Sequence, residues 1–183
     1  MSSNRRYSVI LNSTQYRYFE MDLLILRHGE AGRSSNLASD FKRSLTVEGK
    51  QEIVEIAKGL KSLDVKLDHI LTSPLLRAKQ TAEIVAKSLK YKSKIEETNS
   101  LKPEGNRLEF YSVLSRFKQD SVMLVVGHEP YLSEVIGEAI SQSGCRIDLK
   151  KAGLARIRVM QTLPKLKGEL RWLLAPKQLK KMG

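Results

Sequence analysis

Cysteine is nearly absent from this chain of 183 residues. Cys145 is the only one, which excludes an internal disulfide and a cysteine-held metal cluster and fits a reducing, cytoplasmic setting. Histidine is scarce as well. Three residues lie tens of positions apart, without HExxH, CxxC or clustered-carboxylate spacing, so no metal and no cofactor are expected. Long apolar runs are missing too: segments such as 22–27 and 121–127 fall far short of the roughly 18–20 residues that cross a bilayer, and no membrane helix is expected. Acids are few, 20 against 32 Lys and Arg, which leaves a formal charge of +12. From Lys150 to Gly183 ten basic residues face a single acid, Glu169. Such a surface either is a solvated face or draws anions: nucleic acid, acidic proteins or phosphorylated molecules.

What is present suffices for one ordinary domain, with 41% hydrophobic residues to fill a core. Residues 1–20 lack periodicity and carry Arg5, Arg6 and Arg17 among polar residues, without the apolar stretch of a secretory signal. They read as a poorly ordered extension or the result of an upstream start, with Met21 as an alternative first residue and 21–183 as the domain. From there short apolar runs alternate with helical periods, the pattern of βα units on a largely parallel sheet. Strands are predicted at 23–26, 69–71 and 122–126, and two final antiparallel neighbours at 154–160 and 169–174. Helices are predicted at 46–63 with Thr46 as N-cap, at 75–89 with Ser73 and Pro74 as N-cap and first turn, at 106–117, and from Pro130 to 140. The expected architecture is α/β, a three-layer sandwich with a mostly parallel central sheet, helices on both faces and an antiparallel C-terminal edge.

Three chemically charged groups follow directly on three strands: Arg27-His28-Gly29-Glu30, Thr72-Ser73-Pro74-Leu75-Leu76-Arg77 and Gly127-His128-Glu129-Pro130. In an open α/β sheet the carboxyl ends of the strands form the ligand crevice, so the three groups are expected at one site. Two arginines supply bidentate forks, and helix N-termini at Pro74 and Pro130 would add backbone donors. That donor set suits a phosphoryl group. Gly127 is read as letting backbone approach a ligand. His69 has no motif around it and is read as structural or exposed.

These residues resemble the histidine phosphatase superfamily, the phosphoglycerate mutase-like proteins. The resemblance rests on Arg27-His28-Gly29, Leu45-Thr46-x-x-Gly49, Ser73-Pro74-x-x-Arg77-Ala78-x-Gln80-Thr81-Ala82 and Gly127-His128, in that order. Within the superfamily, the short length and the segments Leu149-Lys-Lys-Ala-Gly-Leu-Ala-Arg156 and Gly168-Glu-Leu-Arg-Trp-Leu-Leu-Ala-Pro176 are similar to the SixA-type phosphohistidine phosphatases. The resemblance implies a metal-independent hydrolase with His28 as nucleophile, and with Arg27, Arg77 and His128 holding the transferred oxygens. Phosphoryl transfer asks mainly for positioning and charge stabilisation, which this set offers. Arg33 and Ser73 are further candidates for substrate contact. A carbonyl near Gly29 is expected to fix the His28 tautomer.

Glu129 departs from the SixA-like pattern, which often has Asn there. It is either a proton donor, with Glu104 and Glu109 as weaker alternatives, or a helix cap. The implied substrate is phosphohistidine on a protein. The alternatives are a small phosphate ester such as a sugar phosphate, or a basic module that binds phosphate or nucleic acid without turnover; nucleic acid is the less favoured ligand. A monomer is expected, with Lys177, Lys180 and Lys181 on a basic face that docks an acidic partner.

Overall fold

The computed structural model describes residues 20–33, 40–141 and 143–183. The reading of residues 1–20 as an extension therefore lies, apart from Glu20, outside the described residues. Chain order runs β1 Met21–Arg27, α1 Val47–Ser62, β2 His69–Thr72, α2 Leu76–Ser88, β3 Ile95–Glu97, a 3-10 turn Asn99–Leu101 and α3 Arg107–Leu114. It continues with β4 Val122–Gly127, α4 Tyr131–Ile140, β5 Leu154–Gln161, β6 Lys167–Leu174 and α5 Pro176–Lys180.

The sheet order is β3-β2-β4-β1-β5-β6. The first four strands are parallel, β5 pairs antiparallel to β1, and β6 closes the far side antiparallel to β5. β1 and β4 sit in the middle because they are apolar on both faces, as a doubly covered strand must be. Leu23, Ile25, Met123 and Val125 point into one core with Phe110, Leu132 and Val135 of α3 and α4. Leu24, Leu26, Leu124 and Val126 point into the other with Ile53, Ile56 and Val85 of α1 and α2. The period of two along each strand thus assigns alternate residues to two layers, each fully buried aliphatic side chain stabilising by about 1.5–3 kcal/mol. The three-layer expectation holds.

Helix boundaries moved where local hydrogen bonding outweighs pattern. Thr46 does cap α1, its Oγ1 accepting from Gly49 N–H at 2.9 Å. Gly49 is required there, because a Cβ would collide with the Glu30 carbonyl. Ser73 and Pro74, however, form a turn ahead of α2 rather than its first residues, and the helix starts at Leu76 with no side-chain cap. α4 likewise begins at Tyr131, one residue after Pro130. α3 is shorter than its apolar pattern, ending at Leu114, and is capped by Asn106. β3 and α5 were not foreseen from the sequence. α5 is tied to α1 by Lys180, whose Nζ lies 2.9 Å from Glu52 and 3.4 Å from Glu55. One of the three lysines expected on a basic docking face is thus paired within the fold.

Candidate active site

The carboxyl ends of β1, β2 and β4 meet at one end of the sheet, with β4 between the other two. Arg27 is the last residue of β1 and pairs in register with Gly127, the last of β4. His28 follows, its N–H donating to the Gly127 carbonyl at 3.1 Å while its own carbonyl accepts from Ala152 N–H at 3.2 Å. The Leu149 carbonyl accepts from Arg27 Nη1 at 2.9 Å. Residues 149–153 therefore act as a strap that fixes Arg27 and His28 from below. On the other side, Gly29 N–H donates to Thr81 Oγ1, which itself donates to the Arg77 carbonyl, and Leu45 N–H donates to Gln80. The Gln80-Thr81 pair is thus scaffolding between α2 and the loop after β1.

The His28 ring is held from both nitrogens. Nδ1 lies 2.7 Å from the Gly29 carbonyl, an acceptor, so Nδ1 carries the hydrogen. Nε2 accepts from Arg77 Nε at 3.2 Å and so presents a lone pair. Burial lowers the His28 pKa to about 4, with Arg77, Arg27 and Arg43 adding to the shift and the Gly29 hydrogen bond opposing it. His128 is held lower still, first by burial and then by His28 and Arg77 beside it. The two rings lie 5.0 Å apart, tilted by 55°. His128 Nε2 is 2.8 Å from Ser73 Oγ. Leu75 N–H also donates to that oxygen at 3.4 Å, and the hydroxyl, with one hydrogen and two lone pairs, orients the ring in either tautomer.

A cleft of roughly 470 Å³ opens onto these groups, lined by Arg27, His28, Arg43, Arg77, His128 and Glu129, with Arg33 and Lys151 exposed at its edge. Among the described residues, Arg27 Nε, Arg43 Nε and His128 Nδ1 are buried without a partner. Buried donors are ordinarily satisfied, so the two unpartnered guanidinium nitrogens around one cleft mark it as built for an anion. No three His, Cys, Asp or Glu of the described residues are grouped to hold a metal ion.

The structure brings Arg27, His28, Arg77, His128, Glu129 and Arg33 together as the sequence suggested. Ser73 is corrected: it is fully buried behind His128, where it orients the ring rather than touching the cleft. Gly127 is corrected too, because a Cβ there would press on Leu132 at 3.1 Å and on the Leu101 carbonyl at 3.3 Å; its small size serves packing. Glu104 and Glu109 are exposed and do not line the cleft. His69 begins β2 at the opposite end of the sheet and stacks on Phe117 at 4.6 Å. Glu129 sits one residue ahead of Pro130, which occupies the N-cap position of α4. It accepts from the Ser133 N–H at 3.0 Å, as a helix-end acceptor does, and it also lines the cleft, with burial raising its pKa. Arg43 and Lys151 were missed. Neither lies in a periodic segment; the usable signals were that the connection leaving β1 must cross the site and, for Lys151, that segment 149–156 already carried the resemblance.

The family described as Histidine phosphatase superfamily (branch 1) matches residues 23–105. An uncharacterized protein of Picosynechococcus sp. is 38% identical over 142 residues, 75% of this chain and 85% of that protein. The phosphohistidine phosphatase SixA of Escherichia coli K12 is 34% identical over 120 residues, 64% of this chain and 73% of SixA. A solved structure of the protein histidine phosphatase SixA complexed with tungstate superposes with a TM-score of 0.77 at 28% identity, covering 87% of this chain and 99% of that one.

Proposed function

Because this chain belongs to the histidine phosphatase superfamily, is of the SixA type within it, and is therefore a phosphatase, we propose that it works through a phosphorylated His28 and acts on phosphohistidine borne by proteins. The observation that carries this reading is the His28 tautomer, with Nδ1–H held by Gly29 and the Nε2 lone pair turned to Arg77. Nε2 attacks phosphorus as the substrate's P–N or P–O bond breaks. The electron pair leaves with the substrate nitrogen or oxygen, which takes a proton, and water then cleaves the P–Nε2 bond to release phosphate. The Arg27 and Arg77 forks and the His128 ring hold the equatorial oxygens, where charge accumulates. A nucleophile near pKa 4 is already unprotonated at neutral pH, so its basicity is low but none of it is masked.

The name of the 34% identical relative supports the phosphohistidine substrate, as does the cation-rich edge of the cleft. A cytoplasmic monomer is part of the same reading. Among the described residues, no helix is long and apolar enough to cross a membrane. The test is dephosphorylation of a phosphohistidine-bearing protein in EDTA, alongside a panel of sugar phosphates and an aryl phosphate. Turnover of the phosphoprotein alone supports the reading, and turnover of the small esters alone overturns its substrate. A pH profile adds a second check. Since the reactive form is unprotonated, kcat/KM is expected to fall only as pH drops through about 4; a limb near 6.5 would contradict the buried histidine.

One observation favours small esters as a second reading. Glu129 faces the cleft with its pKa raised, and an alkoxide leaving group needs such an acid where imidazole does not. If Glu129 is the donor, Glu129→Gln slows an alkyl phosphate by about 100-fold or more and spares phosphohistidine. If it is only a cap, rates stay within a few-fold and the cost is roughly 1 kcal/mol of stability.

A further inference from the structure

The loop between β1 and α1 places an acid against the two arginines that a phosphoryl group would have to share. Asp40 Oδ2 lies 3.0 Å from Arg77 Nη1, its main-chain carbonyl accepts from the same Nη1 at 2.9 Å, and Oδ1 lies 3.0 Å from Arg43 Nη2. We propose that Asp40 is a positioning residue for phosphoryl recognition, clamping Arg77 and Arg43 so that the Arg77 Nη2 edge and Arg43 Nε are presented to the phosphoryl oxygens. The proposal rests on the phosphatase site described above.

The donor count of Arg77 makes the point. A guanidinium has five N–H groups in a fixed fork. Nε is committed to His28 and Nη1 to the Asp40 carbonyl, with the Asp40 carboxylate beside it, which leaves Nη2 without a partner among the described residues. Asp40 therefore holds the edge of the fork that the ligand does not use, and it stays out of the cleft lining itself. Its own place is determined. Arg43 N–H donates to the Asp40 carbonyl at 3.3 Å, closing a turn, and the chain beyond is pinned where Gly32 N–H donates to Ser44 and Leu45 N–H to Gln80 of α2. The carboxylate is thus referenced to the helix that carries Arg77.

An ordinary surface pair explains less. Asp40–Arg43 alone, with both side chains about a quarter exposed, is of the kind that contributes little. Arg77 is different, since its side chain is only 4% exposed and without the carboxylate its buried charge would be left with neutral acceptors alone.

The experiment measures kcat and KM on an aryl phosphate, and the affinity for inorganic phosphate by calorimetry, in Asp40→Asn, Asp40→Ala, Asp40→Glu and the double variant Asp40→Ala/Arg77→Ala. Asp40→Ala is expected to lower kcat/KM by about 10- to 100-fold, the scale of a slightly misplaced catalytic group. Phosphate affinity should fall with it, and Asp40→Asn, which keeps an acceptor, should fall less. In the Arg77→Ala background the alanine change should add little, because the two act as one unit. Values within two-fold of wild type in folded Asp40→Ala, or full additivity in the double variant, overturn the proposal. Should Asp40→Ala fail to fold, Asp40→Asn carries the same comparison. Phosphate calorimetry needs no turnover, so it tests the clamp even where every substrate proves inert and the phosphatase reading fails.

Discussion

His28→Ala is expected to abolish turnover, with a loss on the order of 10⁴-fold or more, as is usual when a covalent nucleophile is removed. The neighbouring groups are poorly placed to substitute: His128 has its Nε2 engaged with Ser73, Glu129 is bonded to Ser133, and the arginines carry no lone pair. The variant should still fold, because the contacts that hold this stretch of chain are the main-chain bonds of residue 28 to Gly127 and Ala152, which alanine keeps. It should also still bind phosphate, since every arginine remains. The measurement is acid-quenched trapping of labelled enzyme together with steady-state rates: wild type should yield a phosphoenzyme and His28→Ala none. A residual rate within 100-fold of wild type would sink the covalent mechanism.

Arg77→Ala should rank next, losing about 10²–10³-fold in kcat/KM, the usual cost of removing one donor aimed at developing charge. Arg77 is 3% exposed and contacts both His28 and Asp40, so its removal withdraws a phosphate fork and also the group that faces the nucleophile's lone pair. Arg77→Lys should recover little of the loss. A single ammonium cannot donate to Nε2, to Asp40 and to a phosphoryl oxygen in the fixed directions of the fork. The pH profile should separate the two effects. Arg77 is one of the charges that depress the His28 pKa, so its loss should move the acid limb upward from about 4 toward the ordinary imidazole range. An Arg77→Ala enzyme with an unmoved limb and a rate within ten-fold of wild type would exclude both roles.

Much of this could be read from the chain because strong local patterns and tertiary demand agree. The runs that became β1 and β4 are apolar on every position, which only a sheet covered on both faces tolerates, and Arg27, His28 and His128 stand at their ends. Thr46 followed by Gly49 announced a helix start correctly because the capping bond is local. Where the deciding interaction is between distant residues, the pattern was silent or misleading. β3 is three residues long and largely exposed, and only its pairing with β2 makes it a strand. Ser73 looked like a helix cap, yet its hydroxyl is claimed by His128, 55 positions away. Asp40, Arg43 and Lys151 lie where nothing local distinguishes a cleft residue from a solvated one until the connection from β1 is folded over α2 and the strap 149–153 is laid against Arg27 and His28.

The burial of two neutral imidazoles also links the fold to protons. In the unfolded chain each histidine takes up a proton near pH 6.5, whereas folded His28 refuses it until about pH 4 and folded His128 beyond that. Between those values the unfolded state binds more protons, so acidification favours unfolding by up to about 1.4 kcal/mol per pH unit for each ring. The loss through His28 levels off below about pH 4. Against the roughly 5–15 kcal/mol that keeps a domain folded, this is a substantial drain. The same desolvation that keeps the nucleophile ready in mild acid thus shortens the life of the molecule there. In such a medium the enzyme should begin at full rate and then decay with time.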